Sequence, residues 1–154
     1  MLLIPVAYRR HGIKWILILG LAAWITRFMF FGYGNATSGE WMLYAGILLH
    51  GICFDFFFVS GMIYTDLKAG PKIKSQAQGL ISLATYGLGM YIGSLIAGYV
   101  QKMYTMGEGP GAVTDWTSVW LIPAGIAGVV LLLFILFFRD NQKVVMKDEP
   151  VAVV

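Results

Sequence analysis

Tyr44-Ala45-Gly46-Ile47-Leu48-Leu49-His50-Gly51-Ile52-Cys53-Phe54-Asp55-Phe56-Phe57-Phe58-Val59-Ser60-Gly61-Met62-Ile63 holds a single carboxylate in an otherwise apolar run. The run is long enough to cross a hydrocarbon core of about 30 Å, which takes about 20 helical residues. A carboxylate at that depth costs several kcal/mol unless it is paired, hydrated or protonated. Asp55 is therefore a candidate functional residue, and proton or cation coupling is the chemistry an intramembrane acid most often serves.

The rest of the chain agrees with a membrane setting. Of its 154 residues 58% are hydrophobic and 12% charged, against about 25% charged in a soluble domain. Four stretches are long enough to span: about 13–33, 41–64, 80–104 and 119–138. The fold class expected is an all-α membrane protein with four transmembrane helices in a bundle over 13–138. Residues 139–154, polar and interrupted by Pro150, are expected to form a disordered cytoplasmic tail. The apolar opening Met1–Tyr8 is too short to span. It is expected to be the end of a helix that begins outside this sequence, with 1–12 closing in a cytoplasmic loop; the alternative is an interfacial leader on a four-helix protein.

Charge sets the orientation. Arg9, Arg10 and Lys14 flank the first span, Lys68, Lys72 and Lys74 separate the second from the third, and Arg139, Lys143 and Lys147 follow the fourth. On the other side stands Lys102, with Glu40, Glu108 and Asp115 nearby. The positive-inside rule then places both termini and the 66–78 loop in the cytoplasm, in a cell (inner) membrane. Trp41, Trp116, Trp120, Tyr33 and Tyr104 fall at the outer interface, where aromatic belts form. The lysines contact anionic lipid headgroups and mark no nucleic-acid site.

Inside the spans, few groups carry chemistry. Arg27 lies about six residues, or about 9 Å, from the outer end of the first span. It either snorkels to headgroups or forms an ion pair or ligand contact inside the bundle. Counted from Trp41, His50 is about 14 Å deep and Asp55 about 21 Å, so a direct Arg27–Asp55 pair looks strained at an offset of about 12 Å. His50 and Phe54 are four residues apart and share a helix face, with Asp55 turned about 100° from Phe54. Phe56, Phe57 and Phe58 are expected to pack and meet lipid. Gly89-Met90-Tyr91-Ile92-Gly93, extended by Ala97, is a close-packing seam. Tyr86 and Gln78 are the polar groups of the third span best placed to face a cavity. Cys53 is expected to be a small apolar filler. No phosphate loop, metal-spaced cluster or Ser/His/Asp set is present in the sequence, so catalytic and metal sites are not expected and the chain is not read as an enzyme.

Three segments carry a family resemblance. Tyr8-Arg9-Arg10-His11-Gly12-Ile13-Lys14-Trp15 resembles the cytoplasmic loop motif of major facilitator transporters in its copy between helices 8 and 9. His50-Gly51-Ile52-Cys53-Phe54-Asp55-Phe56-Phe57 resembles the helix-10 signature of the nucleoside:proton symporters in that superfamily, and Ser75-Gln76-Ala77-Gln78-Gly79 the start of their helix 11. The resemblance implies that the four spans are helices 9–12, part of the C-terminal half of a major facilitator fold, with helices 1–8 as missing partners. It implies a nucleoside substrate contacted at Phe54 and at His50, where the family typically has a tyrosine, and proton coupling at Asp55. No cofactor is implied beyond the coupling ion H+. Alone, a third of such a transporter is expected to be inactive, because alternating access needs the opposing half. Two other readings stay open: another major facilitator such as a sugar–proton symporter, and a small four-helix structural membrane protein.

Overall fold

The structure, a computed structural model, describes residues 3–138. The expected disordered tail lies outside these residues. Helix α1, Leu3–Tyr33, changes direction at Gly12, whose backbone (φ 75, ψ 166) is left-handed territory that favours glycine. The apolar helix Gly12–Tyr33 follows. A turn is then tied by Asn35, whose Oδ1 accepts from the amides of Thr37, Ser38 and Gly39.

The next helical run extends over Glu40–Met103, interrupted at Gly70. It comprises α2 (Glu40–Cys53), a π-helical turn at Phe54–Val59, α3 (Ser60–Ser82), a second π-helical turn at Leu83–Gly89 and α4 (Met90–Met103). A straight helix of that length would far exceed a bilayer. It doubles back instead. Gly70 (φ 68, ψ 173) breaks the helical backbone and is followed by Pro71, a glycine–proline pair that stops a helix. Contacts across the break establish the reversal. Lys74 Nζ lies 2.8 Å from Asp66 Oδ2. Gln78 Nε2 donates to Asp66 Oδ1 and, at 2.8 Å, to the carbonyl of Met62. Phe58 and Tyr86 stack with ring centroids 5.8 Å apart.

This corrects the expectation of four separate spanning helices. Three helices among the described residues are long and apolar enough to cross: Gly12–Tyr33, Glu40–Met103 and Trp116–Phe137. The expected second and third spans are the two arms of the middle one. Helix persists right up to Gly70 on both sides, so the expected loop shrinks to one glycine. The all-α expectation holds, with one short pairing in the connection to the last helix. Thr105–Met106 (β1) pairs antiparallel with Val113–Thr114 (β2), Thr105 opposite Thr114. Gly107 and Gly109, both at positive φ, make the tight connection possible. Asp115 then caps α5, Trp116–Phe137, by accepting from the amide and hydroxyl of Ser118.

Helix α1 is the central post. Against α2 and the first π-turn it runs antiparallel: a side chain on Gly46 would strike Phe31, and one on Gly20 would strike the backbone of Phe56 and Phe57. Against α5 it is also antiparallel, with Gly32 at Thr117 and Trp120, and Lys14 Nζ donating to the carbonyl of Ile135 at 3.0 Å. Ile13, Ile16 and Leu17 are buried among Phe56, Phe57, Tyr64, Phe134 and Phe138. Helix α4 is different. Its side chains are exposed up to Val100, and nothing lies within 4 Å of a methyl built on Gly93 or Gly98. The expected glycine seam is thus uncovered among the described residues.

Two consequences are measurable. Gly20→Ala places a methyl 3.0 Å from the Phe57 amide nitrogen, so backbone must move; we expect a loss of about 1–3 kcal/mol in detergent unfolding. Gly51→Ala, which meets open space, stays within about 0.5 kcal/mol. Second, the Lys74 ion pair and the Gln78 hydrogen bond hold the Asp66 carboxyl below the usual carboxylate range. A folded-state value below the unfolded one stabilises above the ordinary carboxylate pKa, about 3.9, and that contribution is lost as pH falls through the lowered value. Thermal unfolding of the wild type is therefore expected to lose stability in that acid window, and Asp66→Asn to flatten the loss.

Candidate functional site

The polar exceptions of the middle run are placed by the first π-turn. Three bulky phenylalanines follow Asp55, and the helix widens there: the Ser60 amide reaches back five residues to the Asp55 carbonyl, and Ser60, fully buried, adds a hydroxyl contact of 3.4 Å to the same oxygen. A π-turn inserts a residue into the helical repeat and re-aims the side chains around it; such turns are frequent at functional sites. Asp55 is half-buried there and is not an isolated group.

His50 and Phe54 share one face, with ring centroids 6.3 Å apart. Both are exposed, Phe54 to 37%. Phe54 meets Phe58 at 5.3 Å. Phe58 in turn touches Phe57 at 5.5 Å, Trp24 at 6.0 Å and Tyr86 at 5.8 Å. From Trp24 the ring contacts continue through Phe28 and Trp120 to Phe31. Phe58 is thus the hub of an aromatic relay joining α1, both π-turns and α5. All three phenylalanines of the Phe56–Phe58 run pack, as expected: Phe56 and Phe57 seat against α1, and Phe58 joins rings from several elements, which the expectation did not single out. A signal for it exists in the sequence, since Phe54 and Phe58 are one helical repeat apart. Its partner Tyr86 lies beyond local reading, on the far side of the Gly70 reversal.

The antiparallel register locates Arg27. With Phe31 against Gly46 and Gly20 against Phe57, the α1 residue level with His50 is Arg27, and the one level with Asp55 is Ala22. Arg27 is then about five residues, or about 7.5 Å, from the level of Asp55, nearer than helix counting alone implies. Its guanidinium lies 5.1 Å from the Phe31 ring, a cation–π contact. Arg27 Nε and Trp24 Nε1 are buried without a hydrogen-bond partner among the described residues. Gln78, expected to face a cavity, is committed instead to clamping the Gly70 reversal.

A cavity of about 560 Å³ opens between α1, α4 and α5, lined by Trp24, Phe28, Phe58, Ala97, Trp120 and Pro123 among others. Its lining is apolar, and His50, Phe54, Asp55 and Arg27 are not part of it. Cys53 is buried, its thiol donating to the Leu49 carbonyl, as a small filler would. No group of three or more His, Cys, Asp and Glu suited to a metal ion occurs among the described residues.

Residues 1–143 match the Nucleoside H+ symporter family. The chain belongs to that family. Among curated relatives, Nucleoside permease NupG of Escherichia coli (strain K12) is 37% identical over 139 residues, covering 90% of this chain and 32% of that protein. Putative nucleoside transporter YegT of the same strain is 38% identical over 148 residues, 92% of this chain and 34% of the relative. Xanthosine permease, also of that strain, is 32% identical over 142 residues, 92% and 33%. The crystal structure of nucleoside transporter NupG superposes with a TM-score of 0.79 at 36% identity, covering 91% of this chain and 34% of the other. The chain therefore spans about a third of the length of the relatives it matches. A symporter family and helices of this apolarity make it a membrane protein of a transporter family, not of an enzyme family. Neither a sugar carrier nor a small structural protein is favoured beside this match.

The relay has a measurable weight. Each aromatic pair contributes about 0.5–1.5 kcal/mol beyond area burial. Phe58 makes four such contacts and Phe54 two, one of them with His50. We expect Phe58→Ala to lower the detergent unfolding temperature distinctly more than Phe54→Ala; equal losses would show that the hub carries no special weight.

Proposed function

We propose that this chain forms helices 9–12 of a proton-coupled nucleoside transporter of the major facilitator type and is inactive without the remaining helices. On this reading the two arms of the Glu40–Met103 run are separate crossings, giving four over residues 13–138, with 1–12 and 139–154 cytoplasmic and the protein in the inner membrane. The observation that carries the reading is the first π-turn: within the family match it sets a half-buried acid beside an exposed aromatic–imidazole pair. Phe54 offers a flat apolar face to a nucleobase and His50 a polar edge to the ligand. Asp55 carries the coupling proton. Arg27, level with His50 and with a buried Nε lacking an acceptor among the described residues, pairs with an acidic group from the missing helices or with the ligand. No cofactor is invoked.

Coupling follows from linkage. A carboxyl that is wet when the pathway is open to one side and drier when it is closed has different proton affinities in the two states. Protonation then biases the conformational equilibrium, and by reciprocity it biases substrate affinity. The two halves rock about a midplane site, of which this chain supplies part of one wall.

The test is a chimera in which this chain replaces the aligned third of NupG. Asp55→Asn is expected to abolish uptake driven by a pH gradient while nucleoside exchange persists. Undiminished proton-driven uptake in that variant rejects the assignment of Asp55, and a folded wild-type chimera that takes up no nucleoside rejects the reading as a whole.

A further inference from the structure

We propose that Tyr86 is an additional nucleoside-binding residue, its hydroxyl hydrogen-bonding a ligand whose base lies on Phe54. The inference rests on the nucleoside-transport reading and extends it to the second arm of the hairpin, where nothing else has placed a ligand contact.

Three observations converge on Tyr86. The first is position. The Gly70 reversal brings Tyr86, in the second π-turn (Leu83–Gly89), onto Phe58 of the first (Phe54–Val59). One π-turn on each arm of a single helical hairpin is an unusual concentration of a feature tied to functional sites. The Met90 amide reaches back to the Thr85 carbonyl, and Thr85 turns its own hydroxyl onto the Ile81 carbonyl at 2.7 Å. The backbone around Tyr86 is thereby satisfied within its own helix.

The second is the ring. Tyr86 stacks on Phe58 with an interplanar angle of 25° and a centroid distance of 5.8 Å. Phe58 also carries Phe54 at 5.3 Å. Phe54 and Tyr86 therefore both contact Phe58, and both leave over a third of their surface uncovered, 37% and 42%. The third is the hydroxyl. It makes no hydrogen bond among the described residues, although six residues of helix, about 9 Å, separate Tyr86 from the start of its span at Leu80. A phenol at such depth needs a polar partner, because hydrocarbon offers none. A nucleoside provides sugar hydroxyls and base heteroatoms within one small molecule, and Phe58 links Tyr86 to the base-stacking ring that the reading already requires.

Tyr86→Phe separates ligand binding from packing, since it keeps the stack on Phe58 and removes only the oxygen. In the NupG chimera carrying this chain, tritiated uridine uptake is measured with and without the substitution. One lost neutral hydrogen bond predicts a roughly three- to tenfold rise in KM with maximal rate within about twofold. An unchanged KM overturns the proposal. So does a fall in maximal rate or thermal stability at constant KM, which would assign the hydroxyl to packing against the rest of the transporter. If the wild-type chimera is folded but inert toward nucleosides, the transport reading has failed instead. Equilibrium binding of tritiated uridine to the same chimera in lipid nanodiscs, with and without Tyr86→Phe, is expected to show the same affinity ratio without requiring turnover, and equal affinities there also overturn it.

Discussion

The contact between Gly20 and the backbone of Phe56 and Phe57 is the constraint on which the remaining geometry depends. In a membrane, helices gain nothing from hiding apolar surface from one another, because lipid is equally apolar. They associate where backbones can approach closely. Gly20 allows that approach opposite the first π-turn, and Gly46 and Gly32 allow it at Phe31 and at the start of α5. Once α1 is pinned at these points, the levels of Arg27, His50 and Asp55 follow from helical rise alone. The buried cluster of Ile13, Ile16 and Leu17 fills the Gly12 end of the same seam.

The hairpin adds a second constraint of a different kind. Its apex is held by polar groups: the Lys74–Asp66 ion pair and the two hydrogen bonds of Gln78. The Lys74–Asp66 pair is partly exposed, and an exposed pair is individually weak. Together with the Gln78 bonds it closes a short reversal whose arms then meet, further along, through the Phe58–Tyr86 stack. Beyond that stack the second arm departs from α1, and α4 is left with few neighbours and an uncovered glycine face among the described residues. The relatives that this chain matches are about three times longer than it.

Much of the candidate site is legible in the sequence. A carboxylate inside an apolar run identifies itself by its transfer cost, whatever surrounds it. His50 and Phe54 share a face because residues four apart always do in a helix. The expected offset of Arg27 from Asp55 is too large, because counting inward from presumed helix ends carries every error in those ends. The glycine repeat at Gly89 and Gly93 reads as a seam on composition alone, yet composition names no partner, and none of the described residues supplies one.

What the sequence by itself determined is local: which stretches are apolar, where glycine and proline interrupt them, how positive charge is spaced along the chain and which polar groups stand out of place. These follow from hydropathy, backbone sterics and helical period, each confined to a few neighbouring residues. Tertiary structure alone decided that the Glu40–Met103 run folds back with Phe58 against Tyr86, that Arg27 is level with His50, and that Phe58 joins rings from separate helices. Those outcomes depend on which small residue of one helix meets which large residue of another, a matching of surfaces far apart in the chain that no local pattern encodes.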